Sequence, residues 1–326
     1  MTRPIEILLL TALPASGKSE VRRFLASLTP EQCRDEFGLG PTVQLDDYPY
    51  VHLMRRVSQE LRRRGHDGVF FVSDELPMQE PLDWGTLIEL LNEDYDDLVA
   101  GRRVSVRSAA EWLFDRFDRA RERVGARPGL ATLAPSVRRE LAQALEAECA
   151  ELVRDKNAGI PDTLAGRTVV IEFARGGPDG AALPLPAPLG YQYSFARLSD
   201  AILEHAAVLY VWVTPEESRR KNIERTDPND PGSILHHGVP TAVMLGDYGL
   251  DDMDWLIRAS DRPDTVRVET RNRVHHLPVG RFDNRVDKTT FVRAEPSQWR
   301  PEQVKALHDG LAEAFRHLDQ LTRSRS

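Results

Sequence analysis

The sequence has few cysteines and no long apolar run near its start, and each shortage excludes a class of protein. Its only cysteines, Cys33 and Cys149, lie far apart in a chain of 326 residues. Such spacing indicates neither a disulfide framework nor a cysteine-based metal site, and it is typical of buried thiols in a reducing compartment. The apolar run at 7–10 is too short for a signal peptide or a membrane span. We therefore expect a cytoplasmic protein with no membrane partner.

Positive charge is outnumbered by negative charge. The chain has 43 lysines and arginines against 51 aspartates and glutamates, for a net charge of −8. Proteins that bind nucleic acid without sequence preference usually present a basic face, so this balance argues against a nucleic-acid partner. Only five of the basic residues are lysines, at 18, 156, 221, 288 and 305. Each lysine is therefore more noticeable, and two of them lie in candidate nucleotide-binding motifs.

Residues 5–20 carry the pattern around which the chain is organised. The apolar run at 5–10 predicts a buried strand, and a helical pattern begins at Lys18. The residues between them match the phosphate-binding pattern G-x-x-x-x-G-K-[ST] at Gly17, Lys18 and Ser19. Ala12 stands where that pattern has its first glycine. We therefore expect Ala12 to keep an ordinary φ, with space for its methyl group.

This loop predicts a site for nucleotide phosphates. N–H groups at the N-terminus of a helix favour an anion. Lys18 would neutralise the β- and γ-phosphates of ATP, and the Ser19 hydroxyl would bind Mg²⁺. The alternative is an ordinary strand and helix with a solvent-facing lysine. The candidate nucleotide-contacting residues are Ala15, Ser16, Gly17, Lys18, Ser19 and Glu20.

Segment 13–19 resembles the loop of the P-loop kinases, the nucleoside-kinase-like branch of the P-loop NTPases, where Leu-Pro-Gly-Ser-Gly-Lys-Ser/Thr is common. The segment Leu45-Asp46-Asp47-Tyr48 resembles part of uridine kinase and phosphoribulokinase-like enzymes. This resemblance implies that Asp46 faces the acceptor hydroxyl as general base or as a partner of Mg²⁺. Asp47 is the alternative base, and a turn after a strand would also explain the pair.

A second carboxylate follows the apolar run Val169-Val170-Ile171. That run predicts a fully buried strand, and Glu172 lies at its carboxyl end. A carboxylate there can hold the Mg²⁺ shell or orient a reacting water molecule. Glu172 also resembles the glutamate of the Val-Glu-Gly motif in uridine kinase-like enzymes. A structural salt bridge is the alternative role.

A basic helix is predicted to follow Thr214, which would cap it together with Glu217. This helix resembles the lid of the P-loop kinases, whose arginines contact the transferring phosphoryl group. The resemblance makes Arg219, Arg220 and Arg225 the candidate lid residues. A solvated basic helix face is the alternative.

Segment 282–289 is similar to the loop that packs on the adenine in several such kinases. The similarity implies that Asn284 and Asp287 hydrogen-bond the base or ribose, while an ordinary turn is the alternative. Two histidine pairs, 236–237 and 275–276, lack metal-ligand spacing, and we interpret them as incidental.

Taken together, these features predict a three-layer α/β P-loop NTPase fold with a mainly parallel central sheet. Residues 1–100 and 166–326 would form its core. Segment 101–165 would be a helical insertion, with two helices separated by a turn at 125–135.

The predicted function is ATP- and Mg²⁺-dependent phosphoryl transfer to a hydroxyl of a small molecule, such as a nucleoside or sugar. One alternative is an ATPase or nucleotide switch that acts through a protein partner. Another is a kinase of nucleic-acid ends or of macromolecules, as in polynucleotide kinase and zeta-toxin-like proteins. The negative net charge argues against a nucleic-acid substrate.

Overall fold

One six-stranded sheet organises the molecule. The structure, a computed structural model, describes residues 4–224 and 238–323. The strands are β1 (Ile7–Thr11), β2 (Thr42–Asp46), β3 (Thr168–Phe173), β4 (Ala206–Trp212), β5 (Thr265–Glu269) and β6 (Val274–Asp283). Their order in the sheet is β2-β3-β1-β4-β6-β5.

The central strands are parallel and buried on both faces. In β1, Ile7 lies opposite Val169 of β3 and Ala206 of β4, and every residue of the strand is buried. Continuous apolar sequence is what such strands require. Among the six strands of the described residues, only β5 runs antiparallel, beside β6 at one edge. The α/β class and the mainly parallel sheet are therefore confirmed.

Twelve α-helices lie within the described ranges. They are α1 (Lys18–Ala26), α2 (Pro30–Phe37), α3 (Tyr48–Arg63), α4 (Asp83–Val99), α5 (Ala109–Val124), α6 (Pro135–Ala158), α7 (Gly190–Arg197), α8 (Asp200–Leu203), α9 (Pro215–Glu224), α10 (Thr241–Gly246), α11 (Met253–Ala259) and α12 (Pro301–Arg323). None of the described helices is long and apolar enough to cross a membrane.

Helices cover both faces of the sheet. Because side chains alternate along a strand, Leu8 and Leu10 face one core while Ile7 and Leu9 face the other. Helices α1, α2 and α12 complete the first core, and α4, α7 and α11 contribute to the second. This arrangement places the sheet between two helical layers.

The predicted insertion forms two helices, α5 and α6. Gly125 ends α5 with φ 86°, and Pro135 begins α6, so the predicted turn between them is confirmed. Their apolar faces share a core with α3, in which Val57 is packed among residues that include Phe117 and Leu145. The insertion therefore packs against the helix that follows β2 and does not have a separate core.

Candidate active site

The loop between β1 and α1 has two residues with positive φ. Ala15 has φ 55° and Gly17 has φ 103°. Ala12 is fully buried and lies outside the left-handed region, as the sequence predicted. Gly17 caps α1 without a side-chain hydrogen bond. The N–H groups in the first turn of α1 therefore have no side-chain cap from Gly17. A loop in which positive and negative φ alternate can form a concave anion site.

Three distant side chains fix this loop. The Tyr191 hydroxyl bonds both the N–H and the carbonyl oxygen of Ala12, each at 2.9 Å. The Ser218 hydroxyl donates to the carbonyl oxygen of Pro14 at 2.7 Å. The Asn284 amide donates to the carbonyl oxygen of Ser16 at 2.8 Å. Since these contacts come from three separate elements, the loop is held in place by the fold around it.

Two carboxylates named from the sequence lie beside each other in the sheet. Asp46 and Glu172 are register partners at the ends of β2 and β3. Arg22 lies between them, with Nη1 2.6 Å from Glu172 Oε2 and 3.5 Å from Asp46 Oδ2. The sequence analysis missed Arg22. Its position one helical turn after Lys18 could have revealed it, because residues four apart share a helix face.

Asp46 is the more weakly neutralised of these carboxylates. Burial, reinforced by the nearby charges of Glu172 and Asp47, raises its pKa to about 7. The Tyr48 N–H, which donates to Asp46 Oδ1 at 2.8 Å, and the more distant Arg22 act in the opposite direction. At neutral pH, Asp46 can therefore exchange a proton.

Asp47 has a different environment. Its Oδ2 accepts a 2.6 Å hydrogen bond from Arg175, whose side chain is only 2% exposed. Burial raises the pKa of Asp47, and Arg175 and Lys18 offset part of that effect. Arg175 also donates to Ser194 Oγ at 3.1 Å and lies over the Trp84 ring. These contacts hold both Asp47 and Arg175 in place.

A single cavity of about 980 Å³ joins these groups. The residues predicted to contact phosphate or Mg²⁺ are among those that line it: Ala15, Ser16, Gly17, Lys18, Ser19, Glu20, Asp46 and Glu172. The wall also includes Arg55, Trp84, Asp247 and Tyr248. Sequence analysis did not connect 247 and 248 with the site, because no local pattern relates them to the loop.

The predicted lid residues that the structure describes do not line this cavity. Thr214 caps α9 as predicted, accepting the Glu217 N–H at 3.2 Å. Arg219 lies 3.4 Å from Asp179, and Arg220 pairs with Glu217 at 2.7 Å. Both contacts are typical of a solvated helix face. The lid role stays a prediction for these two arginines. Arg225 and the histidine pair at 236–237 lie outside the described residues.

Asn284 and Asp287 also lie away from the cavity lining. Besides Ser16, Asn284 donates to Thr289 Oγ1 at 2.9 Å. Asp287 Oδ1 lies 2.9 Å from Lys221 Nζ, and although burial acts in the opposite direction, this contact holds the pKa of Asp287 well below its usual range. In this state both side chains support the loop structure. Contact of either residue with a base or ribose stays a prediction.

The donor atoms fit nucleotide-bound Mg²⁺ better than a metal held by protein alone. Ser19, Asp46 and Glu172 offer the hard oxygen donors that Mg²⁺ prefers. In residues 4–224 and 238–323, no group of three or more His, Cys, Asp or Glu side chains could hold a metal ion. Mg²⁺ usually binds proteins through one or two carboxylates together with substrate phosphates, so this small donor set is compatible with it.

The carboxyl ends of β1, β2 and β3 therefore bring together a loop rich in N–H donors, one lysine and three carboxylates. In open parallel sheets, ligands bind beyond these strand ends, at the point where the chain connections diverge. Here the chain leaves β1 toward β2 on one side of the sheet, and it leaves β4 toward β5 and β6 on the other side. Comparisons with protein-family models, curated proteins and solved structures found no match to this chain.

Proposed function

We propose that this chain is a P-loop kinase that transfers the γ-phosphoryl group of ATP to a hydroxyl of a small molecule. The observation that carries the proposal is one cavity in which Lys18 and an uncapped helix N-terminus face carboxylates from the two neighbouring strands. The Lys18 ammonium and the N–H groups of the helix N-terminus can bind the phosphates of ATP. The carboxylates suit a proton acceptor and a metal.

The loop residues bind and orient the nucleotide. The N–H groups of residues 15–19 and the Lys18 ammonium neutralise phosphate charge as it redistributes during transfer. Ser19 and Glu172 would bind Mg²⁺, and this ion would supply further charge neutralisation. Most of the rate enhancement would come from positioning and electrostatics.

Asp46 is the better candidate for the general base. During transfer, the acceptor oxygen forms a bond to the γ-phosphorus, and the bond between the γ-phosphorus and the β,γ-bridging oxygen breaks. Asp46 receives the proton of the acceptor hydroxyl. The products are ADP and a phosphate ester. A group with a pKa of about 7 can accept this proton at neutral pH. Asp47 is less suited because its carboxylate is bound to Arg175.

ADP production from Mg-ATP, measured with and without pooled hydroxyl compounds, tests the proposal. The pools would contain nucleosides, sugars, vitamins, amino acids, antibiotics and short RNA. Lys18→Ala is the test variant. Lys305→Ala is the matched control, because the Lys305 side chain is 75% exposed on α12. We expect turnover that requires one pool, is lost in Lys18→Ala and is kept in Lys305→Ala.

Two results would contradict the kinase proposal. Equal ADP production without any acceptor would favour an ATPase or nucleotide switch. Failure of the wild-type protein to bind Mg-ATP in calorimetry would show that the loop is not a nucleotide site. Phosphorylation of the RNA pool alone would move the proposal to a nucleic-acid kinase.

A further inference from the structure

Two residues of opposite charge lie on the cavity wall without pairing with each other. Arg55 belongs to α3, and Asp247 follows the last residue of α10. Both line the cavity that contains the phosphate-binding loop. In the part of the chain that the structure describes, no ion pair within 4.0 Å joins them. Asp247 is buried and Arg55 is partly buried, and charges in such positions normally find a partner.

Arg55 is held in place but only partly neutralised. Its Nη1 donates to the carbonyl oxygen of Asp74 at 2.6 Å, and its guanidinium lies 4.1 Å from the centre of the Phe71 ring. The Asp74 carboxylate pairs instead with Arg62, at 2.5 Å. Burial lowers the pKa of Arg55. Arg55 is thus a fixed guanidinium with donors left for an anionic group.

Asp247 is the complementary case. The residue is 7% exposed, and the hydrogen bond that its Oδ2 accepts from the Met78 N–H is long, at 3.4 Å. Burial raises the pKa of Asp247 to about 7, and the Met78 N–H and the charge of Arg55, which act in the opposite direction, do not reverse this. No basic side chain forms an ion pair with Asp247 in the described ranges. A cationic ligand group would remove this deficit.

We propose that the acceptor is a small zwitterion, a hydroxy amino acid whose ammonium group binds Asp247 and whose carboxylate binds Arg55. This inference rests on the kinase function proposed above and specifies its acceptor class. A ligand with both charges would pair two groups that the protein leaves apart. A ligand with one charge would leave the other side chain without an ionic partner.

The surrounding wall is consistent with an ammonium site. Trp84 and Tyr248 meet edge to face with ring centres 5.6 Å apart, and both line the cavity. Aromatic rings attract cations and exclude water, so they strengthen a nearby ammonium–carboxylate contact. Met78 and Val243 add apolar surface to the same wall.

Matched ligands test the ammonium and carboxylate groups of the acceptor separately. Serine, homoserine and 5-hydroxynorvaline would each be compared with the amino alcohol that lacks the carboxylate and the hydroxy acid that lacks the ammonium. Binding would be measured by calorimetry at pH 7.5, without nucleotide and with Mg-ADP. We expect at least one amino acid to bind at least tenfold more tightly than both of its singly charged counterparts.

The variants assign each charge to its side chain. Asp247→Asn should abolish the preference for the amino acid over the hydroxy acid, and Arg55→Met should abolish the preference over the amino alcohol. The matched controls are Asp162→Asn, an exposed aspartate, and Arg63→Gln, on the exposed side of α3. We expect both controls to keep the wild-type preferences.

Three results would overturn the inference: no amino acid of the set binds, neutral or singly charged compounds bind equally well, or the preferences survive both substitutions. Failure of the kinase function is recognised separately. In that case the protein does not bind Mg-ATP, or Lys18→Ala binds it as tightly as the wild type, while the nucleotide-free comparison still decides whether a zwitterion binds.

Discussion

Replacing Asp247 by asparagine should stabilise the folded protein at alkaline pH. The side chains have nearly the same shape, and an amide oxygen can still accept the Met78 N–H. The substitution removes only the ability to ionise. Because Asp247 is 7% exposed and lacks an ion pair in the described residues, its charge is a liability to folding.

The size of the effect follows from the pKa of Asp247. Burial raises that pKa from 3.8 to about 7, and one pKa unit corresponds to about 1.4 kcal/mol. Ionised Asp247 therefore lowers the free energy of unfolding by up to about 4 kcal/mol. Local relaxation reduces such penalties, so we expect Asp247→Asn to be about 1–3 kcal/mol more stable than the wild type at pH 8.5.

The size of the stability difference depends on pH, and its sign does not change. Well below pH 3.8 the carboxyl is protonated in both the folded and the unfolded chain, so the two proteins should be equally stable. Between pH 4 and 7 the unfolded chain loses this proton while the folded chain keeps it. The wild type therefore loses stability relative to the variant as pH rises through this window. Above about pH 8 the difference should be constant.

Urea unfolding at pH 4.5, 6, 7 and 8.5 would measure this difference directly. Other carboxyls with raised pKa values, including Asp46, Asp83 and Asp251, occur in both proteins and cancel in the comparison. Exposed Asp162→Asn is the control and should show no pH-dependent change. A variant that is less stable than the wild type at pH 8.5, or a difference independent of pH, would refute the reasoning.

Substitutions at three further positions test the site's framework, each by urea unfolding at pH 7.5. Ala15→Gly should change the free energy of unfolding by less than about 0.5 kcal/mol, because relief of the left-handed φ is offset by greater freedom of the unfolded chain. Ala15→Val should lower the free energy of unfolding by more than about 1 kcal/mol. Equal losses of stability in the two variants would contradict this reasoning. Arg175→Met should lose about 3–5 kcal/mol, because it leaves the buried Asp47 charge unpaired; Arg175→Lys retaining full stability would count against a specific guanidinium role. Tyr191→Phe should lose about 1–3 kcal/mol and weaken Mg-ATP binding, because it leaves the Ala12 N–H unbonded; unchanged nucleotide affinity would show that the loop does not need this support.

Local sequence patterns were sufficient for two adjacent central strands, β1 and β3. The apolar runs at 5–10 and 169–171 correspond to β1 and β3, and their carboxyl ends adjoin the loop and Glu172 as predicted. Strand β5 was missed although Val266 and Val268 alternate with polar residues, which is the usual pattern of an edge strand. Helix α2 was also missed, despite the capping box of Thr29 and Gln32. In both cases the signal is present but short.

The candidate site was only partly predictable, because it depends on contacts between distant segments. The loop motif indicated Lys18 and Ser19. No local pattern brings Arg55 and Asp247, 192 positions apart in sequence, to one cavity. Likewise, the resemblance suggested that Asn284 contacts a nucleotide, whereas its observed bonds to Ser16 and Thr289 depend on tertiary packing.

The neutralisation of each charge separates groups that build the site from groups available to a ligand. Asp47 and Arg175 satisfy each other, so their charges are used within the fold. Asp46 and Asp247 remain poorly neutralised, and burial raises the pKa of each to about 7. Asp83 and Asp251 have similarly raised pKa values, but Asp46 and Asp247 also line the cavity that contains the loop, which makes these two the candidates for function. Their separation fits the proposed reaction, in which Asp46, beside the loop, would receive a proton and Asp247, near Trp84 and Tyr248, would bind a cation.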